Sequence, residues 1–321
     1  MKQFFLFSKA LAVFAGTIVG VGIFGLPYVA SKAGFPLVAG YFIVMTVLVV
    51  AVHLMFAKVS YGTPALHRLP GYIGEYLGEG WKKLVFFTFI FGLMGALLAY
   101  LLVGGEFLRG YFSTSFGGSY TAYVLLFWAL GSFLILRGVG SIARAEMILQ
   151  IIFLILLALF FFRALPHIDV NNFSFTNFKY AAFPYGIILF SLWGSALIPE
   201  IKEMVGSWRM LRNVIVAGIT LSTILYLWFI VTIFGTSGVE TSKEAISGFA
   251  GVLGDGVVRL GFIFGFITTF TSFITLGLTA KKVLWYDFNV NRHIAGVIAT
   301  GLPLLLFFFG LESKTPSTSV K

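Results

Sequence analysis

The chain has 321 residues, 59% of them hydrophobic and 11% charged, and a mean hydropathy of +0.99, where a soluble domain would carry about 25% charged residues. It contains no cysteine, which excludes disulfides, thiolate metal sites and cysteine nucleophiles. Its net charge of +10, in so apolar a chain, points to Lys/Arg-rich loops flanking membrane spans rather than to nucleic acid.

Apolar stretches of roughly 17–25 residues are long enough to cross the hydrocarbon. Nine are read, near 9–31, 35–57, 84–106, 120–136, 147–165, 183–200, 213–235, 257–280 and 293–310, the fourth short and the sixth interrupted. The first is not a signal peptide: it lacks a small-residue cleavage pattern, and a second span follows almost at once.

The first span contains GTIVGVGIFGLP at 16–27. A broken backbone in hydrocarbon leaves N–H and C=O groups unpaired, so a break survives only where it is buried in protein or lines a cavity. The N-terminus of a half-helix presents N–H groups that suit a carboxylate, and its C-terminus presents carbonyls that suit an ammonium group or a cation. Gly16, Gly20, Gly22 and Gly25 would let a ligand touch the backbone, with Pro27 capping or kinking the outer segment. The plainer reading is close helix packing through Gly16-x-x-x-Gly20. In the second span, His53 is either a proton-coupling group or a neutral packed histidine.

The inner loop 58–83 carries GYIGEYLGEGWKK, expected as an interfacial helix with Tyr72, Tyr76 and Trp81 as aromatic anchors. Residues 166–182 form an outer connection. The sixth span, FPYGIILFSLWGSALIPEIKEMVG, starts at Pro184 as a helix and then meets Trp193-Gly194-Ser195 and Pro199-Glu200. Gly194 and Pro199 mark the break, Ser195 can satisfy freed backbone groups, and Pro199 lacks the N–H a helix interior uses. Glu200 is either interfacial, an inner-gate partner of Lys202 or Arg209, or a proton-handling group. The outer connection 236–256 follows the seventh span, with a short helix expected at SKEAISGFAGVLG.

With the N-terminus inside, fourteen of the 22 Lys and Arg fall on inner segments and eight on outer ones, so the N-terminus is expected in the cytoplasm and, with nine spans, the C-terminus outside. The first and sixth spans are then interrupted five spans apart and run in opposite directions. That spacing points to a five-span unit repeated with inverted topology and to a binding site where the repeats meet. The expected fold is an all-α integral membrane unit of about nine helices: residues 8–165 the first repeat, 183–310 a second, incomplete repeat, and 311–321 a polar tail. Neither H-E-x-x-H, G-x-S-x-G nor a paired intramembrane Asp occurs, and Gly20-x-Gly22 has no strand context for a nucleotide loop, so neither enzyme, metal site nor cofactor is expected.

GTIVGVGIFGLPYVASKAG at 16–34, IPEIKEM at 198–204, LRNVIVAGITLSTILYLWFIVTIFG at 211–235 and FTSFITLGLTAKKVLWYDFNVNR at 270–292 resemble the amino acid–polyamine–organocation superfamily, within it the amino acid/auxin permease branch and its bacterial aromatic amino acid permease relatives. The resemblance runs from about residue 8 to about 310. It implies paired five-helix inverted repeats, alternating access, and an amino acid held mid-membrane between the first and sixth spans. Backbone at Gly20, Val21 and Gly22 would receive the substrate carboxylate. Carbonyls around Thr17 and Ile18, and around Ser191 and Trp193, would face the amino group, with Gly194 and Ser195 of the sixth-span break in the same site. A coupling Na+ would lie between first-span carbonyls and the hydroxyls of Thr268, Thr271 and Ser272; a coupling H+ is the other option. The family core has ten helices, and here GLESKTPSTSVK follows the ninth span. A truncated reading, a membrane partner that completes the bundle, and a compromised transporter are the three accounts of that departure. The expected function is ion-coupled amino acid transport; the alternative is a non-transporting sensor or inactive relative of such permeases.

Overall fold

In hydrocarbon a chain satisfies its backbone polar groups most simply as helices, and the long apolar runs do form helices. The structure, a computed structural model, describes residues 2–242 and 255–312; among them there is no β-strand. The first span is α1 (Lys2–Ile18) and α2 (Gly22–Ala33), bent by 55° at a three-residue break. Span two is α3 (Phe35–Gly62), followed by a short α4 (Leu69–Leu77). Spans three to five are α5 (Glu79–Phe116), α6 (Tyr120–Arg137) and α7 (Val139–Ala164). The sixth span is split into α8 (Phe183–Leu192) and α9 (Ile198–Val205), and spans seven to nine are α10 (Trp208–Ser237), α11 (Asp255–Lys282) and α12 (Arg292–Glu312). Counting each split pair as one crossing gives nine among the described residues.

Several local expectations are revised. The interfacial helix ends at Leu77, because Gly78 at φ +92° stops it, and Trp81, Lys82 and Lys83 belong to α5 instead. Tyr72 is buried rather than anchored at a surface, its hydroxyl 2.7 Å from Ser60 Oγ. Pro27 lies inside α2 and caps nothing. Pro199 opens α9 in its first turn, where a missing N–H costs nothing, so within the break it is the start of the inner half-helix. α7 begins at Val139, eight residues before the apolar run read from 147. Residues 166–182 form short 3-10 turns tied to the bundle by Asp169 N–H donating to Gly235 O and Asn177 N–H to Ala33 O. The short helix expected at 242–254 lies, apart from its first residue, outside the described residues.

Two buried clusters hold the bundle together. One joins α1, α2, α3, α7, α8, α9 and α10; the other joins α5, α6, α11 and α12. α11 runs between them: Phe264 stacks on Phe229 of α10 at 5.5 Å and on Phe153 of α7 at 4.8 Å, while Phe273 meets Phe127 of α6 at 5.3 Å. Phe87, Phe91, Ile148 and Phe309 point outward and are largely exposed, which suits a surface bathed in lipid. The consequence for function is that α11 backs directly onto the first-span break.

Candidate functional site

Val19, Gly20 and Val21 leave the helix between α1 and α2, and Trp193 and Gly194 leave it between α8 and a 3-10 turn at Ser195–Leu197. Both breaks open on one cavity of about 490 Å³. Of the sequence-read substrate residues, Thr17, Ile18, Gly20, Gly22, Ser191, Trp193, Gly194 and Ser195 line it, and Val21 does not. The opposite wall is α5, through Phe89, Gly92, Leu93 and Tyr100. Trp193 remains 46% exposed at this cavity.

The broken backbone is satisfied by specific partners. At the start of α2, the Ile23 and Phe24 amides turn back to the Gly20 and Val21 carbonyls, whereas the Val21 and Gly22 amides have no such acceptor among the described residues. Those two N–H groups, at a helix N-terminus, are what a carboxylate would need. On the carbonyl side, the Tyr226 hydroxyl of α10 lies 2.6 Å from Ile18 O and 2.8 Å from Ser191 O, joining the C-terminal ends of α1 and α8. Each carbonyl keeps a second lone pair for a ligand. Close approach fixes the glycines here: a Cβ on Gly22 would stand 2.5 Å from Ser191 Oγ, and one on Gly20 would stand 2.6 Å from Ser272 Oγ.

His53 supports the second break from α3. Its Nε2 accepts the Gly194 N–H at 3.0 Å, and its Nδ1 lies 2.8 Å from Val49 O. That arrangement assigns the proton to Nδ1 in a neutral ring, with both nitrogens engaged and Trp193 edge-on at 5.0 Å.

The candidate ion residues separate. Thr271 donates to Gly16 O at 3.2 Å and Ser272 to Thr17 O at 3.1 Å, bringing α11 onto the last turn of α1. Thr268 donates to Gly265 O of its own helix. Thr275, which the sequence reading passed over, receives the Thr17 hydroxyl at 2.7 Å.

Glu200 has a partner that the sequence did not indicate. Instead of Lys202 or Arg209, it pairs with Arg68, whose Nε is 2.8 Å from Glu200 Oε1. Arg68 is 1% exposed and also donates to Glu203, which in turn receives Lys282 at 2.8 Å. Burial alone would lower the Arg68 guanidinium, but the adjoining Glu200 and Glu203 carboxylates raise it above its ordinary value, so it stays charged. Lys202 instead donates to the Ser60 and Thr63 carbonyls. Asp287 accepts the Arg68 amide at 2.9 Å and the Gly71 amide at 3.0 Å, capping α4 from the far end of the chain. Together these pairs seal the end of the bundle that carries α4 and α9.

Sequence reasoning missed Tyr226, Tyr100, Thr275 and Arg68. The two tyrosines are single hydroxyls within apolar runs, a weak signal, and Arg68 read as an ordinary loop cation.

Comparison with known proteins agrees with this geometry. The family model described as the tryptophan/tyrosine permease family matches residues 5–310. Tyrosine-specific transport system 1 of Haemophilus influenzae is 26% identical over 314 residues, covering 90% of this chain and 75% of that protein. In fold, the chain is similar to the crystal structure of MhsT in complex with L-phenylalanine, with TM-score 0.72, 17% identity, and 98% and 82% of the two chains covered. It is also similar to Mhp1, a nucleobase-cation-symport-1 family transporter in a closed conformation with bromovinylhydantoin bound, with TM-score 0.70, 14% identity, and 95% and 71% covered. A multi-pass helical bundle whose two broken spans meet at one cavity, matched across all nine crossings, makes this chain a member of the tryptophan/tyrosine permease family.

Proposed function

We propose that the protein is a secondary active transporter of aromatic amino acids, working by alternating access and coupled to an ion gradient, with its N-terminus in the cytoplasm. The observation that carries this reading is the single cavity formed where both broken spans offer free amides and carbonyls. Its volume falls within the roughly 300–1,000 Å³ of small-molecule sites, and its walls are mostly apolar with a few polar groups, as such sites usually are. The zwitterionic part of an amino acid would take the amide of Gly22 and the carbonyls of Ile18 and Ser191, all three residues lining the cavity. The side chain would lie toward Trp193, Phe89 and Leu93. Tyrosine and phenylalanine appear in the names of the similar proteins, and the family description adds tryptophan. The Arg68 network would close the cytoplasmic end while the cavity is loaded. For coupling, an ion must favour one of the two conformations over the other.

The test is uptake of labelled tyrosine, tryptophan, phenylalanine and a small aliphatic amino acid into proteoliposomes under imposed Na+ or H+ gradients. Saturable, gradient-driven accumulation of the aromatic members is expected. Binding without any uptake would instead give the non-transporting sensor, and neither binding nor uptake would overturn the substrate class.

A further inference from the structure

The carboxylate of Glu146 on α7 is 0% exposed, and neither of its oxygens has a hydrogen-bond partner among the described residues. One turn on, Gln150 is 9% exposed and its Nε2 is likewise without a partner. Both side chains converge on α1: a Cβ on Gly16 would stand 2.5 Å from Glu146 Oε2 and 3.1 Å from Gln150 Oε1. Two oxygens therefore approach one glycine, and neither oxygen of Glu146 finds a donor there among the described residues. Buried polar groups in native proteins are almost always paired, and an isolated ionised carboxylate in a dry interior is not sustained. The other buried carboxylates each find donors, Glu200 at Oε1 from Arg68, with its Oε2 unpartnered among the described residues, and Asp287 from the Arg68 and Gly71 amides. Glu146 does not.

The charged and titratable groups on the elements packed against α7 are engaged elsewhere or lie away from it. On α1, Lys9 is seven residues, about 10 Å, before Gly16. On α6, Arg137 lies over the Phe133 ring. On α10, Tyr226 holds two carbonyls, and Arg209 and Arg212 sit in the first turns. On α11, Lys281 donates to the Ile135 and Leu136 carbonyls and Lys282 to Glu203. On α7 itself, Arg144 is exposed and two residues away, on another face.

We propose that Glu146, with Gln150 beside it and Gly16 as its cover, is the seat of the monovalent cation, a proton or a sodium ion, that couples to substrate movement. The cation neutralises Glu146 while α1 lies against it and leaves when α1 moves away. The link to the substrate is short. Gly16 O is held by Thr271, Thr17 O by Ser272, and Ile18 O by Tyr226 at the cavity, so three consecutive residues of α1 connect the carboxylate to the substrate site. An intramembrane carboxylate in such a place is a functional group by default. This inference rests on the transport reading above.

The test compares wild type with Glu146→Gln in proteoliposomes, measuring uptake driven by a pH gradient without Na+, uptake driven by Na+ without a pH gradient, and tyrosine–tyrosine exchange with neither. Gradient-driven accumulation should fall by about tenfold or more in the variant, with exchange retained. Loss confined to the pH-driven arm identifies a proton, and loss confined to the Na+ arm identifies sodium. A variant that accumulates substrate as wild type does overturns the proposal. Absence of both uptake and exchange in wild type would overturn the transport reading instead. A second measurement needs neither variant nor transport: carbodiimide labelling of Glu146 in wild type, read by mass spectrometry. Labelling that rises as pH falls, or that Na+ suppresses, supports the proposal, and labelling indifferent to both overturns it.

Discussion

Tyr226 reaches two carbonyls from two different broken helices, so its hydroxyl ties α1 to α8 at the point where both stop. Tyr226→Phe keeps the ring packed against Phe42 and removes only that tie. Losing the partner of a buried acceptor costs about 1–3 kcal/mol, so the variant should show a lowered thermal midpoint together with weaker tyrosine binding, measured side by side in detergent. Unchanged binding would mean the two breaks do not depend on this hydroxyl. Gly22 makes a complementary case. Gly22→Ala drives a methyl into Ser191 Oγ and to 3.2 Å from Ser191 Cβ, and overpacking of this kind costs about 1–3 kcal/mol. Binding should weaken by about tenfold or more, and adding Ser191→Gly should recover most of the loss. A double variant as weak as the single would show that the penalty lies elsewhere than in this contact.

At the scale of elements, charges tie α4 to α9 as a gate, beside the apolar packing that buries Ile198 and Ile201 of α9. Arg68 serves Glu200 and Glu203 at once, and removing one partner of a buried ion pair costs about 3–5 kcal/mol because the other charge is stranded. Arg68→Ala should therefore shift the population toward the form open at that end. Because the chain has no cysteine, a single Leu278→Cys, behind Glu203 and Lys282, gives a clean reporter. Its maleimide reaction should quicken by about tenfold or more in the Arg68→Ala background, and Arg68→Lys should rescue poorly, since an ammonium cannot present the guanidinium fork to two carboxylates. Equal rates in all backgrounds would remove the gate assignment. The same elements mark what was legible in the sequence. Nine crossings and both breaks could be read because apolar runs and glycine clusters are local signals. Pro199 is legible as part of the break but not as the start of α9, because a proline marks a helix start as readily as an interruption. Arg68 and Tyr226 escaped because their partners lie 132 and 208 residues away, and no spacing rule spans that distance. Glu146 escaped for a simpler reason. The apolar run starts at 147, so in the sequence Glu146 falls in the loop before it, although α7 begins at Val139.

For the whole molecule, the gate and the cavity acquire direction from the way the bundle faces. Lys and Arg accumulate in segments at the α4 end, among them Lys82, Lys83, Arg209, Arg212, Lys281 and Lys282, and such segments are retained on the cytoplasmic side. The sealed end would then face the cytoplasm, and a gradient of cations directed inward would drive substrate through α1 and α8 toward it. Single cysteines decide the matter. Thr114→Cys, exposed near the end of α5, should react with an impermeant maleimide in intact cells, whereas Glu79→Cys and Arg209→Cys, exposed at the opposite end, should react only after permeabilisation. The reverse pattern would turn the bundle over: Arg68 would close an outer gate, and the cation at Glu146 would be released outward when α1 moved, making the same residues an exporter's machinery.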